Sequence, residues 1–136
     1  FEGATLGLIK RCTVASVTTG VAFAGSVNNW CNDLIFEDME FYDNVTADVA
    51  THNGVANPGF TNLTNVVFHR TAFTDVGGTP VTNFINYDTA SVVINCAFLN
   101  CNFSRTVANG TRIATMPPNL IVNGWDTSTT RIGLVG

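Results

Sequence analysis

Short apolar runs of a common shape recur along the chain. They read "DLIFEDMEF" from Asp33, "NVVFHRTAF" from Asn65, "SVVINCAF" from Ser91 and "NLIVNGW" from Asn119, with "GLIKRCTV" from Gly7 as a fainter copy. Each opens on a polar or small residue, continues with two or three apolar ones and turns at a polar corner; most close on another apolar or aromatic side chain. Runs this short, broken by corners, predict β-strands rather than helices. Alternation along a strand puts Val66 and Phe68 inward with Val67 outward, and Val92 and Ile94 inward with Val93 outward. Asn53-Gly54, Pro58-Gly59, Gly77-Gly78, Asn109-Gly110, Pro117-Pro118 and Asn123-Gly124 supply turn chemistry between the runs.

The starts of these runs fall 26, 32, 26 and 28 residues apart, within the range of periods that marks repeat architectures. "NVVFHRTAFTDV" from Asn65 and "SVVINCAFLNCNFS" from Ser91 resemble the right-handed parallel β-helix of pectin-lyase-like proteins, the likeness covering mainly residues 33–123. That resemblance implies about five short coils stacked ~4.8 Å apart, with Cys12 over Cys96 and Phe73 over Phe98. The same strands and turns also fit a jelly-roll-like antiparallel β-sandwich, and "TADVATHNGVANPGF" from Thr46 suits an inserted loop or hairpin. Under either architecture the expectation is one all-β domain over residues 1–136, whole or a piece of a longer chain that here begins at Phe1.

Composition narrows the partners. Charged residues make up 12% of the chain, about half the usual quarter, so the surface is polar but weakly charged. The net charge of −4 and the single lysine, Lys10, leave no basic stripe to neutralise phosphates; neither nucleic acid nor an anionic membrane is an expected partner. No apolar run approaches the roughly 18 residues of a membrane span. Cys12, Cys31, Cys96 and Cys101 form no C-x-x-C pair and share the chain with only two histidines, so they read as buried free thiols rather than a zinc site, although two disulfides in any of three pairings remain open. No metal or cofactor is expected. The sequons at Asn44, Asn62, Asn102 and Asn109 are about as many as chance gives.

Candidate chemistry concentrates in "NDLIFEDMEFYDN", which holds Asp33, Glu37, Asp38, Glu40 and Asp43, half of the ten acids. In polysaccharide-cleaving β-helix enzymes carboxylates on one face act as acid and base or hold calcium; Asp33 with Glu37, or Asp38 with Glu40, would have to converge to do so. The plainer reading puts these acids on the solvent side of a strand that turns Leu34, Phe36, Met39 and Phe41 inward, with no catalytic residue. His52 and His69 sit in no nucleophile signature. Trp30, Trp125, Tyr42 and Tyr87 would suit sugar stacking, but aromatic residues in small β domains serve more often as core or contact anchors.

Both ends are apolar and nearly uncharged, and Trp30 and Trp125 fall beside turns where a partner chain could be touched, so Phe1, Trp30, Trp125, Ile132 and Leu134 are the candidate interface residues. High strand content, few charges and a Thr/Asn surface resemble the composition of bacteriophage surface components such as capsid decoration or cement proteins and tailspike shafts. The resemblance implies a non-enzymatic structural protein of the virion that packs against copies of itself and a larger shell. The alternatives are an extracellular carbohydrate-binding or polysaccharide-cleaving β-helix and a secreted, disulfide-bonded domain that binds a receptor.

Overall fold

The computed structural model describes residues 4–24, 30–52, 62–74, 83–86, 92–103, 119–126 and 131–135. Of His52, Trp125, Ile132 and Leu134 only the backbone falls within that description. All regular structure in it is strand: β1 Thr5–Lys10, β2 Thr13–Ala15, β3 Thr19–Ala24, β4 Trp30–Glu37, β5 Glu40–Tyr42, β6 Ala47–His52, β7 Asn62–His69, β8 Ala72–Thr74, β9 Asn83–Asn86, β10 Val92–Ile94, β11 Ala97–Phe103, β12 Ile121–Asp126 and β13 Arg131–Val135. The protein is all-β, as the patterning predicts.

The pairing is mostly parallel. β1 pairs with β4 and β4 with β7; β2 pairs with β5 and β5 with β8; β3 pairs with β6 and β6 with β9. Three successive tiers, β1–β2–β3, β4–β5–β6 and β7–β8–β9, thus lay like strand on like strand. β10 then pairs with β7, β11 with β7 and β8, and β12 with β11, all parallel. Among the described residues only β12 and β13 run antiparallel. A ten-stranded and a three-stranded sheet result, and the antiparallel sandwich expected as the alternative does not match this pairing. The C-terminal apolar stretch forms a strand on β12, with Gly124 opposite Ile132 and Val122 opposite Leu134.

The corners are set by backbone conformation. All eleven non-glycine residues with positive φ among the described residues fall into three ladders. Leu6, Asp33, Asn65, Asn95 and Asn119 form the first, at φ from 53° to 68° and spaced 27, 32, 30 and 24 residues apart. Arg11, Asp38, Arg70 and Asn100 form the second, and Ser16 and Asp43 the third. Seven of the eleven are Asn or Asp, the non-glycine residues that tolerate the left-handed region best. One such residue breaks the in-out alternation and redirects the chain, so the same position must break in every tier for the strands to stay in register.

Inward columns follow from that register. Ile9, Phe36, Phe68, Phe98 and Val122 lie one above another. Phe36, Phe68 and Phe98 stack with ring centroids 4.4 and 4.7 Å apart and planes within 7°. A second stack, Phe41, Phe73 and Phe103, has centroids 5.3 and 5.2 Å apart. Phe23 meets Phe36 and Phe68 edge-on. Leu34, Phe36, Met39 and Phe41 are all buried, as expected.

Several expectations are corrected. Val92 and Ile94 face solvent while Val93 is buried, because β10 pairs with Asn62–Thr64 and not with the residues after Asn65. The true counterpart of "NVVF" is "NCAF" from Asn95, since Ala97 lies opposite Val67 and Phe98 opposite Phe68. Phe73 therefore stacks on Phe103 and is only tilted against Phe98, at 5.9 Å and 60°. Cys12 does not lie over Cys96: Cys12 shares its position with Met39 and Thr71 at the second corner, Cys96 with Leu34 and Val66 beyond the first.

Asn123-Gly124 is no turn but part of β12, where a glycine is needed because a Cβ at Gly124 would overlap the Cys101 carbonyl oxygen. "TADVATH" is largely strand β6, with Ala47, Asp48 and Val49 buried. Asn53-Gly54, Pro58-Gly59, Gly77-Gly78, Asn109-Gly110 and Pro117-Pro118 lie outside the described residues.

Candidate functional site

Of the acid cluster, Glu37, Asp38 and Glu40 sit at the second corner, where one tier ends β4 and begins β5 and the next ends β7 and begins β8. Glu37 lies opposite His69 in the ladder, and the left-handed Asp38 lies under the left-handed Arg70. Backbone bonds carry the corner from tier to tier: Asp38 N donates to His69 O at 3.1 Å and Arg70 N to Leu99 O at 3.0 Å. Arg70 then reaches back over the acids. Its Nε donates to Asp38 Oδ1 at 2.8 Å and its Nη2 to Asp38 Oδ2 at 3.1 Å, a bidentate fork. Nη2 also donates to Glu37 Oε1, and Nη1 lies 3.2 Å from His69 Nδ1.

These contacts decide the chemistry of the acids. The hydrogen bonds from Arg70 hold the Asp38 carboxyl below the usual carboxylate range, with the charges of Arg70, Arg11 and His69 adding to the effect and partial desolvation opposing it. The same pairing pushes the Arg70 guanidinium still higher. A carboxyl held ionised is poorly placed to donate a proton near neutral pH.

The proposed carboxylate pairs are also separated. Asp33 belongs to the first corner, where its Oδ1 accepts from Asn65 Nδ2 at 2.7 Å. Three strand residues lie between it and Glu37, a separation of four steps or roughly 13 Å of extended chain. Glu40 turns instead to Thr13, whose Oγ1 donates to Oε2 at 3.3 Å. Thus Glu37 and Asp38 are brought together by Arg70, while Asp33 and Glu40 are engaged elsewhere.

Beside this corner is a concavity of about 460 Å³ lined by Arg70, Thr71, Ala72, Asn100 and Asn102. It offers a guanidinium, a threonine hydroxyl and two side-chain amides, all hydrogen-bonding groups. Nothing in the apolar patterning points to these residues; the signal for them is the recurrence of a polar corner after each apolar triplet.

A different surface lies on the outer face of the larger sheet. Leu8, Ile35, Val67, Ala97 and Ile121 are aligned in register across five strands, and Leu8, Ile35 and Ile121 are exposed by 55%, 45% and 43%. Leu6 on β1, Trp30 on β4, and Val92 and Ile94 on β10, which pairs with β7, are further exposed apolar residues of this sheet. Trp30 is 37% exposed at the start of β4. Phe1 lies outside the described residues, as do the side chains of Trp125, Ile132 and Leu134.

Cys31, Cys96 and Cys101 are buried and Cys12 is exposed, all four as free thiols. Burial pushes the Cys96 thiol up and that of Cys101 up to about 12, which makes them inert at neutral pH. Asn44 and Asn62 are buried too. Asn44 holds the third corner together: its Oδ1 accepts from Val17 N at 3.1 Å and its Nδ2 donates to Asp48 Oδ1 at 2.7 Å.

No protein-family model, no curated protein and no solved structure matches the chain.

Proposed function

We propose that this chain is a right-handed parallel β-helix of about five short coils that serves as a structural component of a virus-particle surface, packing against copies of itself and a larger shell. The observation that carries the assembly role is the outward ladder Leu8, Ile35, Val67, Ala97 and Ile121. Leu8, Ile35 and Ile121 of that ladder are exposed to solvent, in register with half-buried Val67 and buried Ala97, and a sheet face that leaves large aliphatic side chains open on three of its strands is built to be covered. The clamped state of Glu37 and Asp38 is in keeping with that role, since Arg70 ties the corner down rather than presenting a pair of carboxylates to a reactant. Assignment to a virion follows the composition: few charges, many strands and a Thr/Asn-rich surface.

The test is sedimentation of the wild type and of Ile35→Asp across a concentration series. Wild-type oligomers, with association weakened about tenfold or more in the variant, support the reading; a wild-type monomer at every concentration overturns it.

The second reading, carbohydrate binding, is favoured by the concavity lined by Arg70, Asn100 and Asn102. It predicts retention of a polysaccharide in affinity electrophoresis that is lost on Asn100→Ala, and inertness toward a polysaccharide panel removes it.

A further inference from the structure

The first tier is where the inward columns stop. Phe36, Phe68 and Phe98 are exposed by 1% or less, whereas Ile9, at the foot of the same column, is only half-buried. Val14 is likewise half-buried beneath Phe41, Phe73 and Phe103, each fully buried. On the sides away from β4, β5 and β6, no strand among the described residues pairs with β1, β2 or β3. Three parallel strand edges and two half-covered apolar columns therefore end on one surface.

That surface has a definite charge. At the second corner the sign alternates from tier to tier: Lys10 and Arg11 in the first, Glu37 and Asp38 in the second, His69 and Arg70 in the third. The middle pair is satisfied from above by Arg70, and Arg11 approaches it from below, its backbone N donating to Glu37 O at 3.0 Å. Lys10 and Arg11 have no acidic tier on their other side among the described residues.

We infer that the first-tier edge is a docking surface for an extended segment of a partner polypeptide, which adds one more parallel tier with apolar residues over Ile9 and Val14 and two adjacent carboxylates over Lys10 and Arg11. Strand addition supplies the main-chain bonds, and the corner charges set register and partner choice. A second copy of this chain is a poor occupant. Its own adjacent acids, Glu37 and Asp38, lie between β1 and β7 inside the sheet, and two first tiers laid in parallel would oppose Lys10 and Arg11 to their own kind. This edge is distinct from the outer aliphatic ladder that carries the assembly role.

The probe is a fluorescein-labelled synthetic peptide copying residues 30–52 with Cys31→Ser, which carries the acidic corner that the register already places on the first tier. Anisotropy titration against the whole protein should saturate, and hydrogen exchange should slow across Thr5–Lys10. A peptide with Glu37→Lys and Asp38→Lys should bind about tenfold more weakly or worse. The protein variant Lys10→Glu/Arg11→Glu should reverse that preference.

Absence of saturable binding, equal binding of the two peptides to the wild type, or protection confined to strands other than β1–β3 would each overturn the inference. The peptide comparison on the wild-type protein stands even if the double variant fails to fold, and the Ile35→Asp sedimentation test reports separately on the assembly role.

Discussion

Asn65 sits directly above Asp33, both in the left-handed region at φ 55° and 54°, and its amide donates to the Asp33 carboxylate at 2.7 Å. Asn95 continues the line with its Nδ2 3.3 Å from Asn65 Oδ1. The corner is thus a side-chain ladder as well as a backbone one. Replacing Asn65 by Ala loses the amide and forces a β-carbon residue less suited to the left-handed region, so stability should fall by about 1 kcal/mol. Asn65→Gly should cost less, because glycine takes that conformation freely. Urea denaturation of the two variants measures the difference.

Phe68 is the centre of the aromatic packing, stacked between Phe36 and Phe98 and touched by Phe23, Phe41 and Phe73. Phe68→Ala should destabilise the protein by about 3–5 kcal/mol, a large share of the stability of a domain of this size. Phe68→Leu should cost less. Thermal and denaturant unfolding read both.

Two strand glycines should respond differently to Ala. At Gly124 the new Cβ would overlap the backbone carbonyl of Cys101, which can yield only if β11 and β12 part. At Gly7 it would meet the flexible end of Leu34 at 3.1 Å. Gly124→Ala should therefore speed hydrogen exchange along β12, and Gly7→Ala should leave the exchange pattern close to that of the wild type.

The Arg70 fork makes a pH prediction with a definite sign. The folded-state pKa of Asp38 is depressed, so the pair adds stability above the ordinary carboxylate range and loses it as pH falls through the depressed value. Solvent exposure keeps that contribution small. Arg70→Gln should return the Asp38 titration toward its ordinary range, as followed by carboxyl-carbon NMR.

Thiol labelling should separate Cys12 from the rest. Under native conditions at pH 8, iodoacetamide should modify Cys12 quickly, because it is the exposed one. Cys31, Cys96 and Cys101 should react only on unfolding, since burial both shields them and, for Cys96 and Cys101, disfavours the thiolate. Peptide-level mass spectrometry with and without urea reads the order.

The amino-acid sequence by itself determined the all-β character and much of the inward face. Short apolar triplets rich in Val, Ile and Phe favour extended chain locally, and Leu34, Phe36, Met39, Phe41, Val66 and Phe68 could be assigned inward from period and corner alone. Register was decided by the tertiary structure. "SVVI" and "NVVF" look equivalent as apolar strings, yet the second counterpart begins at Asn95, because a left-handed residue breaks alternation without changing hydrophobicity. Only the parallel pairing of Ala97 with Val67 selects among the possible shifts. The fate of the acids was hidden for the same reason: Arg70, which clamps Glu37 and Asp38, lies 33 and 32 residues away along the chain, and its proximity exists only once the tiers are laid together.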